Sequence, residues 1–156
     1  MKFADSTIKK YLYQPGAVFE IPEFQRPYTW KTVNAQEYLK DLEECVSTGK
    51  GHYFGTVVQV EDEDGDDAYS IIDGQQRSTT LQLLLLAFRQ AVQNLGDEQL
   101  FKMLDALVRN PGPYTVDTDY HKIWPTQAGQ DEMQLLYSAA DVASVCSAYP
   151  ARDGRR

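Results

Sequence analysis

The sequence predicts an α+β domain, in which helices pack on a small sheet. Short apolar runs rich in aromatic and β-branched residues, at positions 17–21 and 68–73, are typical of strands. Longer segments with apolar residues every three or four positions, such as 34–47, are typical of helices. The apolar share of 42% in 156 residues is close to that of ordinary globular chains and is sufficient for a core.

Length and composition favour one domain, residues 1–149, followed by a polar, disordered tail at 150–156. Neither an internal repeat nor a linker divides the chain. The longest apolar run, 83–88, is far too short to span a bilayer, and no secretory signal opens the sequence. Cys45 and Cys146 fall on predicted helices, where we expect buried free thiols. A cytoplasmic protein without membrane contact is therefore predicted.

The net charge of −8 is concentrated in one segment. Six carboxylates lie within residues 61–67, and the rest of the chain sums to −2. Their spacing around Gly65 resembles a calcium loop, but the distal bidentate glutamate of that pattern is missing. A solvated loop between two strands is favoured over a metal site. Near neutrality elsewhere disfavours a broad electrostatic coating of DNA.

Capping and stop signals define the other predicted elements. Asn34 can cap the helix that Gly49 stops, and Asp97 can cap another helix. Residues 52–60 and 68–73 are expected to pair as a hairpin around the acidic loop. The helices predicted from these patterns are a short one within 1–14, then 34–47, a central one that ends at Leu95, one from Asp97 to Pro111, and 131–146, with 114–124 mixed and turn-like.

Residues 21–30, with the sequence IPEFQRPYTW, predict a fixed and extended loop, here called the proline loop. Its two prolines remove backbone donors and exclude a regular helix, so the loop loses little entropy when it binds a ligand. Gln25 and Arg26 supply an amide and a guanidinium group. Tyr28 and Trp30 supply flat faces for a base or an apolar contact, although Trp30 is also expected in the core.

A second candidate site lies where the strand at 68–73 gives way to the central helix. Gly74 allows a turn and a close approach of an oxyanion to main-chain N–H groups at the start of that helix. Arg77 falls in the first turn, where a carboxylate would suit the helix dipole better. Ser78 and Thr79 are expected to cap the helix and to line an anion pocket.

These residue types suit phosphate chemistry. Arg77 offers a planar fork of donors to phosphate, and Asp73 could hold Mg²⁺ through one carboxylate. Gln75 or Gln76 could orient a water without ionising. The alternative is a capped strand–helix junction in which Arg77 contacts a nearby acid. We further predict that Arg77 and Arg26 converge on one anion pocket at the mouth of the sheet.

Three blocks of sequence resemble a known family. IPEFQRPYTW at 21–30, followed by IDGQQRSTTL at 72–81, is similar to the N-terminal domain of GmrSD-type restriction proteins, a domain that also occurs in the phosphorothioate-sensing anti-phage effector SspE. KIWPT at 122–126 is similar to a weaker segment, although 129–131 departs from it where the family carries an acid. The resemblance covers residues 11–136 and implies a ParB/sulfiredoxin-like fold with a small mixed sheet, packed helices and a helical C-terminal part.

The resemblance implies hydrolysis of a nucleoside triphosphate, with Mg²⁺, in a regulatory domain of a modification-dependent restriction or anti-phage system. It also implies that the proline loop forms part of a site for the nucleotide or for modified DNA. The alternative is a module that senses modified DNA, such as phosphorothioate DNA, without hydrolysis. The positions that match the family are Asp73, Gln75, Gln76 and Arg77 for catalysis, and Gln25, Arg26 and Tyr28 for binding, beside Gly74, Ser78 and Thr79.

A nuclease of HNH type commonly follows this domain in the family. The present sequence contains only His52 and His121, neither in a ββα-metal context, so nuclease activity is not expected from it. We expect a short or truncated member whose nuclease is a downstream domain or another subunit. The order of the residues leaves open whether the chain forms an oligomer. His52 is expected at the surface, and His121 could reach a phosphate.

Overall fold

The computed structural model describes residues 5–62, 67–110 and 121–138, together with Ser144 and Ser147. Within these residues the protein is an α+β fold, with five helices and one four-stranded mixed sheet, as predicted. The elements are, in chain order, α1 (Ile8–Leu12), β1 (Val18–Glu20), α2 (Thr32–Thr48), β2 (Val58–Glu61), β3 (Ala68–Asp73), α3 (Gln75–Leu95), α4 (Glu98–Val108), β4 (Ile123–Trp124) and α5 (Gln127–Ser138).

The sheet has the strand order β2-β3-β1-β4. β1 lies in the interior and runs parallel to both neighbours, with Phe19 opposite Tyr69 on one side and Ile123 on the other. β2 pairs with β3 in antiparallel fashion, which confirms the predicted hairpin. Because β3, β1 and β4 are parallel, their carboxyl ends lie at the same edge of the sheet. Three separate chain segments therefore leave the sheet side by side.

The core lies between the sheet and the helices α1, α3, α4 and α5. Phe19 of β1, Ile71 of β3 and Ile123 of β4 are fully buried, as expected for strands covered by helices. Trp124 is 6% exposed and belongs to this buried set, whereas Trp30, the residue predicted for the core, is only half-buried. The buried helical residues of the core are Leu12, Leu81, Leu85, Val92, Leu104, Leu107, Val108, Met133 and Tyr137.

The strands differ from prediction at two places. Residues 52–57 are not a strand, and Gly55 among them takes a φ of +103°, far from the values of regular strands. β2 starts only at Val58. Residues 123–124, predicted as turn-like, form the short strand β4. The expectation for 114–120 and that for the tail at 150–156 lie outside the described residues.

Helix α2 has the predicted amphipathic pattern but is not covered. None of its residues is buried, and Leu39 and Val46 are 40% and 86% exposed. Its main ring contacts are those of Tyr38 with His52 and Phe54, at centroid distances of 5.6 and 6.5 Å. α2 therefore packs against residues 52–54, which were predicted to be part of a strand.

The predicted helix ends agree largely with the structure. Asp97 caps α4 by accepting a bond from Leu100 N at 2.9 Å, and α3 ends at Gly96 in the left-handed conformation. Asn34 accepts a bond from the backbone N of Lys31 at 2.9 Å, although it lies inside α2, which begins at Thr32.

The last helix and the cysteines differ in part from prediction. α5 begins at Gln127, four residues before the predicted start, and its predicted end at 146 falls in a range that the structure describes only in part. Cys45 is half-buried rather than buried, and Cys146 lies outside the described residues. No described helix combines the length and apolarity that crossing a membrane requires.

Candidate functional site

The carboxyl edge of the parallel strands carries a cavity of about 360 Å³, here called the strand-end cavity. The proline loop follows β1, the turn at Gly74 follows β3, and Pro125 and Thr126 follow β4. All three segments reach the cavity or flank it, as is common for ligand sites of open sheets. Five residues predicted from the sequence line it: Arg26, Tyr28, Gln75, Gln76 and Thr79.

The proline loop is fixed to α3 by one buried amide. Gln76, only 7% exposed, accepts a bond from the backbone N of Thr29 at 2.8 Å and donates from Nε2 to the carbonyl oxygen of Pro27 at 3.1 Å. The hydroxyl groups of Tyr28 and Thr80 lie 3.0 Å apart. Gln76 therefore holds the loop backbone on both sides of Tyr28, and its amide is committed to that contact.

The neighbouring glutamine has a different environment. Gln75 Nε2 donates to the carbonyl oxygen of Ile72 at 2.6 Å, and Gln25 Nε2 donates to the same oxygen at 3.3 Å. Oε1 of Gln75 has no hydrogen-bond partner in the described part of the chain, and Gln75 lines the strand-end cavity. Of the two predicted water-orienting residues, Gln75 has the available acceptor. Gln25 does not line the cavity and instead helps to anchor the loop.

The proline loop is also joined to α5. Glu23 accepts a hydrogen bond from the backbone N of Gln127 at 2.8 Å, at the start of that helix. A carboxylate there satisfies an amide that has no partner within the helix and suits the helix dipole. The loop is thus held by α3 on one side and by α5 on the other, and the cavity opens between these helices.

The N-terminus of α3 has no side-chain cap in the described structure. Gly74 is the N-cap residue and has a left-handed conformation, with φ +94°. The first helical bond joins Ser78 N to the carbonyl oxygen of Gly74 at 2.9 Å, which leaves the preceding amides for another acceptor. The predicted capping by Ser78 and Thr79 is not found. Both side chains are buried, and only that of Thr79 lines the cavity.

Arg77 points away from the strand-end cavity. Its Nη2 donates to the carbonyl oxygen of Thr56 at 2.6 Å and lies 3.9 Å from Oδ2 of Asp73. A Cβ atom at Gly55 would lie 2.9 Å from Arg77 Nε, so the guanidinium group lies directly against that glycine. The expected convergence of Arg26 and Arg77 on one cavity is therefore not observed, and Arg77 has the contacts of the structural alternative. Asp73 also lies outside the lining.

The part of the cavity that follows β4 was not predicted from the sequence. Pro125 and Thr126 line it, as do Gly129 and Glu132 of α5. The KIWPT block was the signal that could have indicated it. Because the last helix was predicted to start at 131, residues 127–130 were not recognised as part of that helix. The remaining lining residues, which are apolar or proline, are Ile21, Pro27, Leu83, Met133 and Leu136.

A buried polar cluster lies beside β4. Gln82 donates to the hydroxyl group of Tyr137 at 2.6 Å, and that hydroxyl donates to the carbonyl oxygen of Ile123 at 3.2 Å. Burial raises the pKa of Tyr137 above its usual range. The ring of His121 stacks on Tyr137 with centroids 3.5 Å apart, and His121 is 4% exposed. His121 is thus a core residue in this structure rather than one that reaches a phosphate.

Lys122 is buried immediately before β4. Its side chain is 1% exposed, and Nζ donates to the carbonyl oxygen of Gln14. Removal from water disfavours the ammonium form, which lowers the pKa of Lys122 to about 8.

In the described part of the chain, no group of three or more His, Cys, Asp or Glu side chains is arranged to hold a metal ion.

The fold and the cavity together define a small α+β domain with a cavity at the carboxyl ends of its parallel strands. The chain matches the family described as the N-terminal domain of GmrSD restriction endonuclease, over residues 5–148. It therefore belongs to this family, which makes it a module of a restriction or defence protein. A search among curated proteins finds no significant match.

Proposed function

We propose that the strand-end cavity binds a nucleoside triphosphate and that the domain hydrolyses it to regulate a restriction or anti-phage protein. The single observation that carries this proposal is the shape of the site. One cavity joins an apolar wall, an arginine and the uncapped start of a 21-residue helix. A nucleotide has the matching parts, because its base is flat and partly apolar and its phosphates are anionic.

The size and the walls of the cavity suit the nucleoside part. A volume of about 360 Å³ is within the usual range for small-molecule sites. Leu83, Met133 and Leu136 supply apolar contacts, and Tyr28 supplies an aromatic face that is 40% exposed. Because Gln76 fixes the backbone on both sides of Tyr28, this face is ordered before a ligand arrives, which lowers the entropy cost of binding.

The polar end of the cavity suits phosphate. Arg26 lines the cavity and can donate two hydrogen bonds in parallel to phosphate oxygens. The first amides of α3 point along the helix axis toward its N-terminus, where the helix dipole adds partial positive charge. Gly74 itself does not line the cavity, but its left-handed conformation begins α3 without a side-chain cap, so the amides of the first turn are left for a phosphate.

Hydrolysis would depend on groups at the start of α3. Asp73, the last residue of β3, does not line the cavity, but its side chain is 68% exposed and could give Mg²⁺ one carboxylate beside the start of α3. Mg²⁺ bound in this way would take its other ligands from phosphates and water, and it would offset the charge that develops during phosphoryl transfer. Oε1 of Gln75 would accept a hydrogen bond from the attacking water. Arg77 would contribute indirectly, because its bond to the carbonyl oxygen of Thr56 holds the turn at Gly74 in place.

The proposed role also implies partners. A domain of this size that hydrolyses a nucleotide would report its state to a nuclease in the same protein or in another subunit, and modified DNA would be the target.

A second function, sensing of modified DNA without hydrolysis, is favoured by one observation. Phe24, next to Gln25 in the proline loop, is 78% exposed, and such an aromatic side chain can stack on a base.

Phosphate release from ATP, GTP, CTP and UTP, with and without Mg²⁺, tests the proposal. We expect Mg²⁺-dependent release by the wild-type protein and at least a roughly tenfold loss in Arg26→Ala, because a charge-assisted contact to phosphate disappears. Lys50→Ala is the matched control, since it removes one exposed cation that does not line the cavity. Absence of release, together with binding of phosphorothioate DNA, would favour the sensor.

A further inference from the structure

Helix α5 presents one carboxylate to the strand-end cavity. Its lining residues are Gly129, Glu132, Met133 and Leu136, and this spacing of three, four and seven places them on one face of the helix. Three of the four are apolar or lack a side chain. Among the lining residues, all of which the structure describes, Arg26 and Glu132 are the charged ones. Arg26 belongs to the proline loop, whereas Glu132 belongs to the opposite wall.

Glu132 is solvent-exposed at the rim of the cavity and has no partner within the described structure. Neither an ion pair nor a hydrogen bond to its carboxylate is found there, although its side chain faces the cavity. An ionised carboxylate only accepts hydrogen bonds, and it repels phosphate. It would therefore weaken the binding of a triphosphate unless another part of the ligand donated a hydrogen bond to it.

We propose that Glu132 is a specificity-determining residue that accepts a hydrogen bond from the nucleoside part of the ligand. The donor is a ribose hydroxyl group or an N–H group of the base, while Arg26 and the first amides of α3 take the phosphates. The ligand thus spans the cavity from the proline loop and α3 to α5. This inference rests on the proposed nucleotide-binding function and names the part of the ligand that the site distinguishes.

Calorimetric titrations of the wild-type protein, Glu132→Gln and Asp131→Asn test this role, with Ca²⁺ in place of Mg²⁺ to slow turnover. The ligands are the four ribonucleoside triphosphates, their 2′-deoxy and 3′-deoxy analogues, and inorganic tripolyphosphate, which has no nucleoside. Asp131→Asn is the matched control, because it removes a neighbouring exposed carboxylate that does not line the cavity. Both substitutions keep the shape of the side chain and remove one negative charge.

Glu132→Gln should bind the preferred nucleotide about tenfold more weakly, because a charge-assisted hydrogen bond becomes a neutral one. It should bind tripolyphosphate as well as the wild type does or better, since a repulsion is removed. If Glu132→Gln loses a preference for ribose over deoxyribose, the donor is a ribose hydroxyl group. If it loses a preference among bases, the donor is an N–H group of the base.

Three results would overturn the inference while nucleotide binding stands: equal weakening for tripolyphosphate, the same weakening in Asp131→Asn, or no change for any nucleotide. A wild-type protein that binds none of these ligands would overturn the proposed function itself.

Discussion

At the residue scale, the two adjacent glutamines at the start of α3 differ in what they contact. Gln76 forms hydrogen bonds with two backbone groups of the proline loop. Gln75 instead donates to the carbonyl oxygen of Ile72, in the strand β3 that precedes its helix. Sequence gives both positions the same residue type. Only the packing of the loop shows which amide is structural, so the sequence predicted the candidates for water orientation but could not choose between them.

The two glutamines should contribute differently to stability. Gln76→Ala leaves the N–H of Thr29 and the carbonyl oxygen of Pro27 without their partner, so it should lower the free energy of unfolding by about 1–3 kcal/mol. Gln75→Ala should cost less, because Gln25 still donates to Ile72. Urea unfolding of both variants measures the difference.

Kinetics of phosphate release separates the same two roles. Gln76→Ala should raise KM by displacing the proline loop, and Gln75→Ala should lower kcat with a smaller change in KM. A larger loss of stability in Gln75→Ala than in Gln76→Ala would contradict the assignment.

The role of Gly55 also depends on its contacts. Its φ of +103° is unfavourable for other residues, and a Cβ atom there would lie 2.9 Å from Arg77 Nε. Gly49 also has a positive φ, of +67°, but open space surrounds its Cβ position. Gly55→Ala should therefore destabilise the protein more than Gly49→Ala, since it adds a clash to the backbone strain.

A double-mutant cycle isolates the contact with Arg77. The excess cost of Gly55→Ala over Gly49→Ala should fall sharply in an Arg77→Ala background, as measured by urea unfolding. If the excess loss of stability in Gly55→Ala is unchanged without the Arg77 side chain, the cost does not come from a clash with this guanidinium group. The same contact explains why the direction of Arg77 could not be predicted, because it is set by a glycine 22 positions earlier in the sequence.

At the element scale, the sequence identified most helices and strands, but not which of their faces are covered. The central helix and the hairpin were predicted from periodicity and turn residues, and both are found. α2 has an equally regular pattern, yet no residue in it is buried. Periodicity shows that a helix has an apolar face, but it does not show what packs against that face. β4 was missed because two residues are too few for any period.

Two leucines of different helices test this distinction. Leu85 of α3 is 7% exposed and Leu39 of α2 is 40% exposed. Leu85→Ala should lower the free energy of unfolding by about 2–5 kcal/mol, because it leaves a cavity in the core. Leu39→Ala should cost less than about 1 kcal/mol, since little buried surface is lost. Similar losses for the two variants in urea unfolding would mean that α2 is covered in solution.

At the scale of the whole molecule, the site results from strand direction. The parallel order of β3, β1 and β4 brings together segments that are separated by about fifty residues in each case. The sequence supplied the proline loop, the turn at Gly74 and the KIWPT block as separate motifs. Their meeting at one cavity depends on the order and direction of the strands, which local patterns do not determine.

The stability of the whole fold should depend on pH through Lys122. The pKa of this buried lysine is lowered to about 8, whereas that of an exposed lysine is 10.5. Between these values the unfolded chain binds a proton that the folded protein has lost, so the free energy of unfolding rises with pH in this window. The rise approaches about 1.4 kcal/mol per pH unit at most.

Lys122→Met provides the comparison, because it lacks the titrating group and has a similar length. Urea unfolding between pH 7 and pH 10 should show the wild-type protein gaining stability relative to Lys122→Met. Tyr11 and Tyr137, whose pKa values burial raises, act in the opposite direction above pH 10, and both proteins contain them. A constant difference across this range would contradict the lowered pKa.

The central claim is that a nucleotide binds in the strand-end cavity, and blocking the cavity tests it most directly. Leu83→Trp enlarges a lining side chain, and Leu39→Trp makes the same change on the exposed side of α2. Titration with a non-hydrolysable nucleoside triphosphate should give binding to the wild-type protein and to Leu39→Trp, and at least a roughly tenfold loss in Leu83→Trp, with circular dichroism showing that all three are folded. Equal binding by all three proteins, or none by the wild type, would contradict the claim.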